Sequence, residues 1–113
     1  MSTPKSGADP IFSQFAQDPE MREIVGLFIN EMPTRIAAMR SAWEGQRLEE
    51  LRRLAHQLKG AGGGYGFPDL GSAAGGLEST LSAVSDGVLG PQLASLRAQF
   101  AELLSLCERV RSS

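Results

Sequence analysis

The sequence predicts an all-α domain, an antiparallel up-down four-helix bundle with a short additional N-terminal helix. Apolar residues recur at three- and four-residue steps through four long segments, which is typical of helices that each bury one face. Prolines and glycines separate these segments by short connections, and short connections favour antiparallel neighbours. No stretch alternates apolar and polar residues with β-branched side chains, as a half-buried strand would.

Proline positions indicate where the helices begin. Pro10, Pro19, Pro68 and Pro91 each stand where a helix can start, because the amide of the first helical residue has no intrahelical partner. We expect a disordered tail at residues 1–8 and a bundle domain at residues 9–113, with helices at about residues 10–16, 19–44, 46–58, 68–84 and 91–110 and a turn at residues 86–91. Pro33 lies inside the second helix, where a proline costs about 3 kcal/mol, so we expect a kink or two abutting helices there.

Composition excludes several classes of protein. A chain of 113 residues has room for a single small domain. The net charge of -2 gives no reason to expect a nucleic acid as partner. One cysteine excludes an intramolecular disulfide, and a single histidine beside it argues against a metal site built from such ligands.

The same composition favours a cytoplasmic protein with no membrane contact. No apolar run approaches the roughly 20 residues that cross a bilayer, and residues 1–10 lack the apolar segment of a secretory signal. Met1 at the start and the polar Ser112 and Ser113 at the end favour a free-standing chain.

His56 is the unusual residue of the third helix. At about 100° per residue, one apolar face is formed by Leu51, Leu54, Ala55, Leu58, Gly62 and Tyr65. His56 falls about 140° from the centre of that face, so its ring should face solvent. Arg52 and Lys59 lie one turn before and after it, and both add positive charge. An idle surface histidine is the alternative interpretation.

Four glycines follow His56 at positions 60, 62, 63 and 64. If they are helical, they cost together about 3–4 kcal/mol relative to alanine, and costs of this size are typical of functional sites. Bare backbone lets another protein approach, and positive charge favours an anion, so a phosphoryl group on the imidazole fits both features. The alternative is that the helix ends at Gly60 and a loop follows. No strand precedes the glycines and no nucleotide-binding motif is present.

Residues 55–70, AHQLKGAGGGYGFPDL, resemble the signature of histidine-containing phosphotransfer (HPt) domains, which is close to AHxLKGSSxxLGAxxL. The matching positions are Ala55, His56, Leu58, Lys59, Gly60, Gly66 and Leu70. The resemblance extends over about residues 18–84. The chain departs from the signature where Ala61 and Gly62 replace small hydroxyl residues, Tyr65 an aliphatic residue and Phe67 a small one.

The resemblance implies a carrier in a two-component phosphorelay. His56 would accept a phosphoryl group from a receiver-domain aspartate or from a kinase, on the outer ring nitrogen, and would pass it to another receiver. Lys59 and Arg52 would offset the charge of the phosphoryl group, and Gln57 would hydrogen-bond the ring or the phosphate. The surface that docks the receiver would include Gly60, Gly63, Gly64, Ile11 and Phe15. Ile11, Phe12 and Phe15 fit equally well as a lid on the bundle.

The resemblance further implies a monomer that binds response-regulator receivers, a hybrid sensor histidine kinase, or both. No cofactor and no metal are expected in this chain, and no enzyme activity, because it has no motif for binding ATP. One alternative is an HPt-like interaction module that binds a receiver or kinase without carrying phosphate. A cofactor bundle with His56 as axial ligand is a poor alternative, since no second histidine is available. Cys107, Trp43 and Tyr65 are expected to be packing residues.

Overall fold

Four helices contain most of the residues that the structure describes. The structure is a computed structural model, and it describes residues 9–84 and 92–111. The elements in chain order are β1 (Ile11–Phe12), α1 (Pro19–Glu44), α2 (Leu48–Gly64), α3 (Pro68–Val84), α4 (Leu93–Arg109) and β2 (Val110–Arg111). Each helix packs against two others, in the cyclic order α1, α2, α3, α4. The helical bundle is confirmed, and its antiparallel up-down order stays a prediction.

The start of α1 is capped as its sequence indicates. Asp18 Oδ1 accepts hydrogen bonds from the amides of Glu20 and Met21, at 3.0 and 3.4 Å, and this satisfies two of the free amides of the first turn. The helix continues through Pro33, so the alternative of two abutting helices is wrong, and the kink stays a prediction. Packing against the bundle on both sides of the proline keeps this segment helical, since Met32 and Met39 are both buried.

Not every apolar residue of α1 belongs to its buried stripe. Val25 and Phe28 lie in the core, whereas Ile24 is 42% exposed. The core itself lies where the apolar faces of the helices meet, and its largest side chains include Phe67, Met39, Leu51, Leu58, Leu70, Leu77, Leu81, Leu96 and Leu103. Each side chain of this kind contributes about 1.5–3 kcal/mol on burial, which lets packing override a poor helix propensity nearby.

The expected N-terminal helix at residues 10–16 is wrong. Ile11–Phe12 form β1, which pairs in parallel with Val110–Arg111 of β2, and a turn covers residues 14–17. A single seven-residue helix gains too few hydrogen bonds to offset its nucleation. The segment bonds to two distant parts of the chain instead, because the Gln14 amide donates to the Gly66 carbonyl at 2.8 Å.

Glycines bring α2 and α3 into backbone contact. A Cβ at Gly62 would lie 2.8 Å from the amide nitrogen of Gly71, and a Cβ at Gly71 would lie 3.1 Å from the Lys59 carbonyl oxygen. Only residues without a side chain allow this approach. The helix runs through to Gly64, so the alternative that it ends at Gly60 is wrong. The cost of these helical glycines is offset by the packing of α2 against α3.

Three expectations lie outside the described residues: the disordered tail at residues 1–8, the turn at residues 86–91 and the helix start at Pro91. Within the described part, the last helix begins at Leu93 and ends at Arg109. None of the helices in residues 9–84 and 92–111 is long and apolar enough to span a membrane.

Candidate functional site

His56 stands on the outer face of α2. Its side chain is 66% exposed, whereas Leu51, Ala55 and Leu58 of the same helix are buried. The helical period therefore turns the apolar residues to the core and the imidazole to solvent, as the sequence predicts. An exposed ring on a rigid helix can be approached by a second protein without any opening of the bundle.

A carboxylate from α3 orients the ring of His56. Glu78 Oε2 lies 2.8 Å from His56 Nδ1, and the Glu78 side chain is only 17% exposed. An ionised carboxylate can only accept a hydrogen bond, so Nδ1 is the donor and the neutral ring carries its proton there. Nε2 then keeps its lone pair, which makes it the nucleophilic nitrogen of the ring.

Glu78 is missing from the site that the sequence predicts, because it lies 22 residues from His56 along the chain. The sequence does contain one signal. Asp69 and Glu78 are the two charged residues of α3, and Glu78 directly follows the buried Leu77. A charged residue in the middle of a helix of small and apolar residues indicates a partner on a neighbouring element.

Lys59 lies one turn after His56 and reaches the same carboxylate. Its Nζ is 3.9 Å from Glu78 Oε1, so the carboxylate uses one oxygen for the ring and the other for the ammonium. The Lys59 side chain is 56% exposed. A cation in this position raises the positive potential beside the imidazole, where an anionic group attached to the ring would lie.

Arg52 lies one turn before His56 and is engaged by a different partner. Its Nε donates to Glu49 Oε1 at 3.2 Å, and its Nη2 contacts the second oxygen of the same carboxylate. The side-chain hydrogen bonds between Arg52 and Glu49 raise the pKa of Arg52 and lower the pKa of Glu49. Glu78 also raises the pKa of Arg52, by less than Glu49 does. Gln57 is exposed beside His56, and its contact with the ring or a phosphate stays a prediction.

The glycines of α2 fall into two groups. Gly60, Gly63 and Gly64 are exposed, and a Cβ at any of them would meet no atom within 4 Å. Gly62 is different, since a Cβ there would press on the backbone at Gly71. The fold therefore requires a glycine at position 62 and has no steric need for one at the other three positions.

Residues 11–16, which we call the N-terminal strap, close the end of α2. Ser13 is 5% exposed, and its Oγ donates to the Tyr65 carbonyl at 2.7 Å and accepts from the Phe15 amide at 2.9 Å. Ile11 and Phe15 are half-buried and pack against the core, as a lid would. Their part in docking a receiver stays a prediction.

The arrangement consists of an exposed imidazole on a glycine-rich helix, with one carboxylate and one ammonium beside it. Residues 9–84 and 92–111 contain no group of three or more histidines, cysteines, aspartates or glutamates that could hold a metal ion. The family model of the Hpt domain matches residues 23–113, a range that contains His56, Lys59 and Glu78.

The chain belongs to the Hpt domain family. Comparisons with curated proteins and with solved structures found no significant match. Hpt domains take part in two-component signalling as phosphocarriers rather than as enzymes. In this Hpt domain the matched range begins within α1, so the N-terminal strap precedes it.

Proposed function

We propose that this Hpt domain carries a phosphoryl group on Nε2 of His56, between receiver-domain aspartates or from a kinase to a receiver. The observation that supports the proposal is the contact between His56 Nδ1 and Glu78 at 2.8 Å. This contact leaves Nε2 of an exposed ring as the nitrogen with a free lone pair.

The transfer can proceed without moving a proton on the ring. Nε2 attacks the phosphorus of an aspartyl phosphate, a phosphorus–nitrogen bond forms, and the phosphorus–oxygen bond to the aspartate breaks. The electron pair of that bond returns to the aspartate carboxylate. The ring becomes a phosphoimidazolium with its proton still on Nδ1, and the Glu78 carboxylate stabilises the new positive charge. In the reverse step a neutral imidazole leaves, which is a far better leaving group than an imidazolate.

The neighbours of His56 have distinct roles in this proposal. Lys59 offsets the negative charge of the phosphoryl group, and Arg52 does so from the preceding turn once the group draws it from Glu49. Gly60, Gly63 and Gly64 leave the backbone bare where the receiver docks. Positioning supplies most of the rate in phosphoryl transfer, so the domain acts as a well-held substrate. We further propose a cytoplasmic monomer with its helices in up-down order.

A phosphotransfer assay with candidate receivers tests the proposal. Purified wild-type protein and the His56→Gln variant are incubated with receivers that carry a labelled aspartyl phosphate. The wild type should gain acid-labile, alkali-stable label and the variant none, while circular dichroism shows the same helix content for both. Label on the variant equal to that on the wild type would refute His56 as the acceptor. Receiver binding that is equal for both proteins, with no label on either, would instead support a pure interaction module.

A further inference from the structure

Three residues of α3 face α2 on successive turns. Gly71 lies against the backbone at Gly62 and Lys59, and Glu78 reaches both His56 and Lys59. Gly75 lies between these two contacts. A Cβ at Gly75 would be 3.3 Å from Lys59 Cδ and 3.6 Å from both Cγ and Cε. The methylene stem of Lys59 therefore runs along the bare backbone of α3.

We propose that Gly75 is a positioning residue for Lys59, and that its missing side chain lets the lysine lie with its ammonium beside Glu78 and the ring. The consequence for transfer rests on the function proposed above. An exposed lysine has a flexible stem of four carbons, and holding its charge in one place costs rotamer freedom. A stem that packs on α3 has lost much of that freedom before a phosphoryl group arrives.

Close helix packing does not explain the glycine at position 75. At Gly62 and Gly71 the atoms that a Cβ would meet belong to the backbone of the neighbouring helix, whereas at Gly75 they all belong to the Lys59 side chain. The backbones of α2 and α3 could therefore keep their places with an alanine at position 75. A glycine inside a helix costs about 0.8–1 kcal/mol relative to alanine. The three atoms nearest to the space that the glycine leaves all belong to Lys59.

The order of the Lys59 side chain can be measured without any phosphoryl donor. The chain has two lysines, Lys5 and Lys59, so carbon-13-labelled lysine gives two Cε signals, and Lys59→Arg assigns them. Gly75→Val should lower the order parameter of the Lys59 Cε, and Gly75→Ala should lower it less. Gly76→Val is the matched control, because a Cβ at Gly76 meets only Gln99 Nε2, at 3.5 Å. An unchanged order parameter in Gly75→Val, or an equal drop in the control, would overturn the proposal.

Phosphotransfer provides the second measurement. Gly75→Val should slow transfer by up to about fivefold, the scale of one exposed charge interaction, and should have no further effect in a Lys59→Ala background. An equal slowing in that background would mean that Gly75 acts by another route, and the proposal would be wrong. If the wild type accepts no phosphoryl group while Lys59 loses order in Gly75→Val, the proposed function fails and the positioning of Lys59 stands.

Discussion

Two glycines of α2, only two positions apart, should respond in opposite ways to the same substitution. Gly60→Ala adds a methyl group where a Cβ meets no atom within 4 Å. The gain is that of glycine to alanine inside a helix, about 0.8–1 kcal/mol, and for a domain of this size it raises the melting temperature by about 4 °C.

Gly62→Ala places its methyl group 2.8 Å from the amide nitrogen of Gly71. Because backbone cannot rotate aside, α2 and α3 must separate, and overpacking of this kind costs about 1–3 kcal/mol. The gain in helix propensity offsets part of this cost, so the variant should lose up to about 2 kcal/mol of stability.

Thermal and urea unfolding, followed by circular dichroism, measure both changes. A lower melting temperature for Gly60→Ala, or a higher one for Gly62→Ala, would refute the division of the glycines into two groups.

The same protein samples also test whether the receiver docks at Gly60. Gly60→Ala should be more stable than the wild type and yet accept phosphoryl groups more slowly, since the methyl group obstructs the receiver. An unchanged transfer rate would remove Gly60 from the docking surface.

Three further predictions concern other contacts. Glu78→Gln should let the two tautomers of the single histidine mix, which nitrogen-15 spectra of its ring would show. It should also slow transfer about 10- to 100-fold, the range known for carboxylates that orient metal-bound histidines. A ring that stays protonated at Nδ1 alone would contradict this. Ser13→Ala leaves the Tyr65 carbonyl without its 2.7 Å donor, so urea unfolding should show a loss of about 1–3 kcal/mol, and no loss would mean that the strap is loosely bound. Burial raises the pKa of Cys107 from 9.0 to about 12. The contribution of the protonated thiol to the free energy of unfolding is therefore complete below about pH 9 and falls by at most about 1.4 kcal/mol per pH unit toward pH 12. Cys107→Ala should lack this part of the loss of stability, and identical pH profiles of the unfolding free energy for the variant and the wild type would refute it.

Features that depend on one helix alone could be predicted from the sequence. The orientation of His56 follows from the period of α2, because its buried neighbours Leu51, Ala55 and Leu58 define the opposite face. The four long helices follow from the same period together with proline and glycine positions. Asp18 could be recognised as a cap, since its side chain and the following Pro19 are local signals.

Contacts between distant segments could not be predicted in the same way. The period of α3 does not reveal that Glu78 meets His56, because that depends on the register between two helices, which the glycine contact at Gly62 and Gly71 sets. The segment at Ile11 carries an amphipathic pattern that fits a short helix, yet pairing with β2 determines its conformation. Tertiary contacts override the propensity of so short a segment.

The pairing of β1 with β2 has a consequence for the order in which the molecule assembles. It joins residues from nearly opposite ends of the chain, and so large a loop is closed late, after the local contacts of the helices. Each strand has only two residues. The strap should therefore detach first during unfolding and dock last during folding. In hydrogen exchange, the Gln14 amide should therefore exchange through a partial opening that leaves α2 to α4 intact, and each such opening frees the Tyr65 and Gly66 carbonyls that follow α2.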